Sequence, residues 1–313
     1  MPGSTVATFS DLDEMKNSLR GVDLKAVVTD NGSFHSELTR IDLHRLWMQH
    51  GQQSLSQVLH FATLKERRSV TFLAGPGPSM TVSGIEVGQG DLIHYLPGAE
   101  HHLRLPPDCY WFSMSMPEAA LATDARALLG EDIAIAKASI VNRPSEHLLT
   151  RLRTLHQAAS QLARDVPDVL SHPEVARAIE QELVRAMVAC LTSEDDDRPV
   201  RNATKPAALM SRFETLLVSK LDRPVYMTEV CLELGISGRT LRYYCQEHLG
   251  MNPHRYLWLR RMQLAQQALR QADASSATVT TIANDYGFGE LGRFSVSYRR
   301  LFGESPSATL RRR

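Results

Sequence analysis

The chain has 313 residues, and its 35 Lys+Arg against 35 Asp+Glu give a formal net charge of zero. That length suits about two domains, and 43% hydrophobic with 22% charged residues excludes a disordered chain or a fibrous repeat. Cys109, Cys190, Cys231 and Cys245 form no CxxC pair, which argues against a disulfide scaffold or zinc finger and fits a reducing compartment. No run of about 18 apolar residues suggests a membrane span. Asp11, Asp13 and Glu14 stand where a signal peptide needs a positive flank and an apolar core. The expectation is a soluble cytoplasmic protein.

From Phe34 to Met116 short segments alternate apolar and polar residues, as at 38–43, 56–61, 69–73 and 80–87. Gly and Pro clusters such as Gly75-Pro76-Gly77-Pro78 separate them, which predicts an antiparallel sandwich or barrel. Gly88 to Ile93 followed by Leu96-Pro97-Gly98 resembles the turn-strand-turn of a cupin-like jelly roll. That resemblance implies a β-barrel with an interior. Trp47, Phe61, Phe72, Tyr95, Trp111 and Phe112 are candidates to line a ligand pocket there, with ordinary packing the stronger reading for any one of them. Cupins often bind metal through histidine, but the HxH…E pattern is absent around His94, His101 and His102. Adjacent His101 and His102 point to opposite sides of a strand, so at most one faces an interior. No metal or cofactor is expected, and these rings read as solvent-facing or hydrogen-bonding.

Residues 118–191 turn helical. Pro144-Ser145-Glu146-His147 opens one helix with Leu148, Leu152, Leu155, Ala159 and Leu162 on a stripe, and Pro173-Glu174 opens another with Val175, Ala178, Ile179, Leu183, Met187 and Leu191. These stripes could pack on the barrel or pair two chains. Residues 192–206, with Glu194-Asp195-Asp196-Asp197, contain no packable apolar run and read as a solvated linker. The expected division is a sensing or dimerisation domain at 1–191, a linker at 192–206 and a basic domain at 207–313. The charge divides the same way. Residues 1–200 carry 18 Lys+Arg and 26 Asp+Glu, net −8, and residues 201–313 carry 17 and 9, net +8. A basic domain points to a polyanion, with nucleic acid leading.

After Pro206 the pattern is helical. Met210, Phe213, Leu216, Leu217 and Leu221 keep helical spacing up to a stop at Pro224. Met227 to Leu234 then forms a short helix, Gly235 ends it, Ile236 plugs the core, and Ser237 caps the next helix. Short helix, turn and capped second helix make a helix-turn-helix. The arrangement recurs at Val279 to Phe288 and Gly289 to Gly303, and a long helix from about Pro253 to Gln271 joins the two units. The predicted fold is α+β and multidomain: a cupin-like β-barrel with helices, then an all-α double helix-turn-helix.

Residues 206–313 resemble the DNA-binding domain of the AraC/XylS family of bacterial transcription regulators. Carrying the resemblance are Leu234-Gly235-Ile236-Ser237 with Leu241, Gly250 to Arg261 with Ala265 and Leu269, Ile282-Ala283 with Tyr286-Gly287-Phe288, and Phe294 through Gly303 to Ser305-Pro306. It implies a double-stranded DNA operator as partner, RNA polymerase as a second partner, activation more than repression, a homodimer, and a small-molecule effector for the N-terminal half. The alternative is an N-terminal half that only dimerises. An enzymatic cupin fused to a DNA-binding domain lacks both metal-ligand spacing and a nucleophile constellation.

The exposed positions early in each recognition helix, at about 237–249 and 290–302, are the candidates for DNA contact. In the first these are Ser237, Arg239, Thr240, Arg242 and Tyr243; in the second Leu291, Gly292, Arg293 and Val296, with Arg299 and Arg300 as backbone contacts. Arginine binds guanine O6 and N7 bidentately. Tyr243 and Cys245 stand where the family usually has Arg and Phe, and Gly292 and Val296 where it often has polar residues, so the second helix is expected to supply shape and phosphate contacts more than base reading.

Overall fold

Strands in the first half each have two faces to cover, and the alternation along them decides what covers each. The computed structural model describes residues 2–130, 138–193, 198–199, 205–219 and 225–311. The elements in chain order begin with β1 (Gly3–Phe9), α1 (Leu12–Ser18), β2 (Val22–Val28), β3 (Ser36–Asp42), β4 (Trp47–Gln53), β5 (Gln57–Thr63) and β6 (Arg67–Leu73). There follow β7 (Met80–Val82), β8 (Ile85–Val87), β9 (Leu92–Tyr95), β10 (Glu100–Leu105), β11 (Cys109–Pro117), α2 (Glu118–Leu129) and β12 (Ile140–Asn142). The long helices α3 (Glu146–Asp165) and α4 (Pro173–Leu191) come next, then β13 (Arg198–Pro199).

These strands do not close a barrel. They form two antiparallel sheets, ordered β1-β3-β4-β11-β6-β9-β12-β13 and β2-β5-β10-β7-β8. Apolar residues of both inner faces meet between them, including Leu59, Phe61, Leu73, Ile93, Tyr95 and Leu103. The alternate residues point outward and are apolar too. Ile41, Met48, Val70, Phe72, Phe112 and Met114 on the first sheet lie under α2, α3 and α4. Val27 and Val58 on the second lie under the C-terminal helices. With both outer faces covered by helices, the sheets stack as layers where a closed cylinder was expected.

The helical stripes differ in detail from the expected ones. On α3 the deepest residues are Leu149, Leu152, His156, Ala159 and Ala163, with Leu148, Leu155 and Leu162 only partly covered. On α4 Leu183 and Met187 are buried as expected, but Ala178 is exposed and Ala176, Val184 and Val188 take the inner face. Both apolar faces pack within the chain. The expected linker is also not wholly free, because Arg198–Pro199 pairs with β12. Its residues 194–197 and 200–204 lie outside the described residues, as do Leu221 and Pro224.

The C-terminal half is helical: α5 (Lys205–Ser219), α6 (Met227–Leu234), α7 (Gly238–Leu249), α8 (Pro253–Gln271), α9 (Val279–Asp285), α10 (Leu291–Phe302) and α11 (Pro306–Leu310). Its core joins Met210, Phe213, Leu241, Leu259, Met262, Phe294 and Tyr298.

Candidate nucleic-acid interface

Local chemistry builds the first helix-turn-helix. Gly235 adopts φ +68°, a left-handed conformation that costs glycine little, and ends α6. The Ile236 N–H then donates to the Cys231 carbonyl at 3.0 Å, and the Ile236 side chain packs on the helical core. Ser237 Oγ accepts from the Thr240 N–H at 3.1 Å and starts α7. Leu241, Cys245, His248 and Leu249 turn inward. Arg239, Arg242 and Tyr243 are left on the surface, Tyr243 at 63% exposure, with Ser237 and Thr240 beside them. Among the described residues no acid pairs with Arg239 or Arg242.

The second unit repeats the glycine turn, but its side-chain cap is on the first helix of the pair and α10 has none. Thr278 caps α9, Gly287 takes φ +76°, and the Phe288 N–H donates to the Ala283 carbonyl at 2.9 Å. Phe294, Tyr298 and Leu301 anchor α10. Gly292, Arg293, Val296, Arg299 and Arg300 are exposed, Val296 at 72%, and Leu291 is half-buried. Arg293 differs from the arginines of α7, because its guanidinium meets Glu290 at 3.1 Å. That pair is solvated, so it constrains Arg293 little.

Helix α8 holds the units together, with Asn252 as its N-cap and Tyr256, Leu259, Met262, Ala265 and Leu269 buried. Its surface carries two arginines stacked on aromatic rings, which helical spacing alone does not single out. The Arg255 guanidinium lies over Trp258 at 4.6 Å and that of Arg261 over Phe288 at 5.4 Å. Burial, and then the neighbouring Arg300, hold Arg255 below its ordinary value.

The six residues expected to line one pocket are not brought together, and Phe112 lies in the core under α2 to α4. Phe72 points to the helices, while Phe61, Tyr95 and Trp111 lie between the sheets. Trp47 sits apart beneath the Arg67 guanidinium at 3.6 Å. The Phe61 and Tyr95 rings meet edge-on at 5.4 Å, and the Trp111 N–H donates to Gln53 Oε1 at 3.0 Å. The three histidines are buried, where solvent exposure was one expectation. His94 Nε2 faces Arg68 at 3.1 Å, and His101 turns between the sheets toward Ser139 at 3.2 Å. His102 points the opposite way, toward the helical domain. A cleft of about 790 Å³ opens instead between the halves, lined by Lys25 and Val27 from the sheet side and Tyr256, Arg260 and Gln263 from α8.

A family profile described as a helix-turn-helix domain matches residues 230–312. A probable thc operon regulatory protein of Rhodococcus erythropolis is 34% identical over 150 residues, 47% of this chain and 45% of that protein. XylDLEGF operon transcriptional activator 1 of Pseudomonas putida is 41% identical over 102 residues, 33% of this chain and 31% of that protein. The matched segments thus span less than half the length of these curated relatives. The crystal structure of a probable AraC family transcriptional regulator from Rhodopseudomonas palustris is 32% identical, covering 34% of this chain and 96% of that one, with a TM-score of 0.31.

Proposed function

The chain belongs to the AraC/XylS family of transcriptional regulators, and we propose that it is a sequence-specific DNA-binding regulator, acting on promoters in the bacterial cytoplasm. The observation that carries this reading is the pair of helix-turn-helix units on one helix, with Arg239 and Arg242 exposed on α7 and, among the described residues, without an acidic partner. In this reading α7 reads bases through Arg239, Arg242 and neighbouring Ser237, Thr240 and Tyr243. Helix α10 docks through Leu291, Gly292, Arg293 and Val296, and Arg299 and Arg300 bind phosphate. Activation through RNA polymerase and assembly as a dimer are supported by the family alone, since the apolar faces of α3 and α4 are covered within the chain.

Selection of bound sequences from a random duplex library tests the base-reading roles. Arg239→Ala is expected to relax the selected motif at one or two positions, at about 1–3 kcal/mol of lost discrimination. Arg300→Ala is expected to weaken all sequences alike. An unchanged motif for Arg239→Ala would remove that residue from base reading.

Response to a small-molecule effector is the finer part of the proposal, and the cleft shared by both halves supports it. A thermal-shift screen of metabolites tests it, because a ligand bound in excess raises the melting temperature by mass action. A screen without hits would favour an N-terminal half that serves assembly alone.

A further inference from the structure

The outer face of the second sheet meets the helical domain through buried titratable groups. His60 on β5 and His102 on β10 are register partners, and their rings stack with centroids 4.6 Å apart. His248, near the end of recognition helix α7, meets His102 edge-on at 6.0 Å. Nε2 of His102 lies 3.8 Å from Glu214 Oε1 on α5, longer than a hydrogen bond. Glu214 is fully buried and accepts from the Tyr256 hydroxyl at 2.6 Å and from Arg260 at 2.5 Å, both on α8. On the other flank, His60 Nε2 is 3.4 Å from Glu100, which also accepts from the Ser211 hydroxyl of α5. Nε2 of His60 and His102 and Nδ1 of His248 are buried without a hydrogen-bond partner among the described residues.

We propose that the His60–His102–His248 cluster is a proton-operated latch, which docks the helix-turn-helix domain on the second sheet while the imidazoles are neutral and releases it when they are protonated. The cluster can hold little added positive charge. Lys25 on β2, the register partner of His60, stands on one side, Arg104 on β10 and Arg260 on α8 on others. The facing carboxylates are already engaged, Glu214 by Arg260 and Tyr256 and Glu100 by Ser211, while Glu247 stands at the rim against Gly84. Protons on two rings stacked at 4.6 Å put like charges together in a site shielded from water.

Burial, then the neighbouring His102, hold His60 below the ordinary imidazole value; burial, then His102 and Arg104, lower His248 to about 4. Undocking returns these rings to water, near about 6.5. Protons therefore bind the undocked state better, so docking is complete above pH about 6.5 and weakens as the pH falls below it. For His248 alone, going from pH about 7.5 to about 5.5 multiplies the undocked-to-docked ratio roughly tenfold. Glu214 and Arg260 both belong to the helical domain, so their pairing survives release.

Small-angle scattering on the full chain, with molar mass measured on the same samples, tests the latch. The radius of gyration of the wild type is expected to rise between pH about 7.5 and about 5.5 at constant mass. The variant carrying His60→Phe, His102→Phe and His248→Phe is expected to stay compact at both. A wild type of constant radius, or equal expansion of the triple variant, overturns the proposal. Should the triple variant fail to fold by near-ultraviolet circular dichroism, His248→Phe alone is expected to lower the pH midpoint of expansion, and an unmoved midpoint overturns the proposal equally.

Discussion

Glu214 is an acid inside an apolar stripe. It follows Phe213 and precedes Leu217, on the face of α5 that Met210 also occupies, and that face is the core of the helical domain. Burial by itself would raise its pKa. Hydrogen bonds from Tyr256 and the Arg260 guanidinium, with the His102 ring close by, outweigh burial and lower it to about 2. A carboxyl depressed in the folded state stabilises the fold above its unfolded pKa of about 4.3, and that contribution fades as pH falls toward 2. Glu214→Ala leaves Arg260, itself largely buried, without its partner, and is expected to cost about 3–5 kcal/mol at neutral pH by urea denaturation. The gap between wild type and Glu214→Gln is expected to narrow from pH about 4.3 downward; a constant gap would mean that the residue is not ionised in the fold. The sequence carried a signal here. A single carboxylate at a stripe position is a buried charge needing a partner, and Tyr256 and Arg260 sit four apart on one face of the next long helix. What it could not disclose is that His102, more than a hundred residues earlier, completes the set.

At the scale of elements, what was legible is what is local. The bounds of α6, α7, α8 and α10 follow from caps and glycines within a few residues: Ser237, Asn252, Gly235, Gly250 and Gly303. The sheets resisted the same reading because their pairing is remote. β11 lies between β4 and β6, and β12 pairs with β9 across the whole of α2. Both faces of many strands are buried, so the clean alternation that marks a half-exposed strand is lost, as in β6 and β9. β1 and β2 precede Phe34, where the predicted strands began. Gly51 shows how such pairing chooses residues. A Cβ there would fall 2.1 Å from the Trp111 ring, so the indole lies across β4 only because no side chain is present. The aromatic residues singled out for a pocket were placed by this logic of strand faces. Successive strand positions alternate between the layers, which is why Phe72 and Leu73 enter different cores.

The whole molecule is a stack: helices α2 to α4, the first sheet, the second sheet, and the helix-turn-helix domain. Its zero net charge is the sum of an acidic first half, sheets and helices together, and a basic helical domain laid against the second sheet. The second half is grasped at several points. Gln263 donates to the Val28 carbonyl at 3.1 Å, the Gly32 N–H donates to the Leu301 carbonyl at 2.9 Å, and Arg270 pairs with Asp11. These contacts come from Asp11, β2 and the loop after β2, and they hold α8 and the end of α10.

Helix α8, with 19 residues, is about 28 Å long at about 1.5 Å per residue. It is a rigid spacer close to one turn of duplex, about 34 Å or 10 base pairs. Under the proposed function, one chain reads two sub-sites a single turn apart and cannot stretch to any other spacing. Inserting 5 base pairs between the sub-sites puts the second on the opposite side of the duplex, and binding is expected to fall to that of one unit. Inserting 10 base pairs restores the face but moves the second sub-site beyond the reach of α8, so binding is expected to stay low. A flexible tether between the units would predict recovery at 10. Gel-shift titration of the three duplexes separates the cases, and recovery of full affinity with the longer insertion would mean that α8 does not fix the spacing. The salt dependence adds a second readout. A chain reduced to one engaged unit neutralises fewer phosphates, so the slope of log affinity against log salt is expected to become shallower for both insertions.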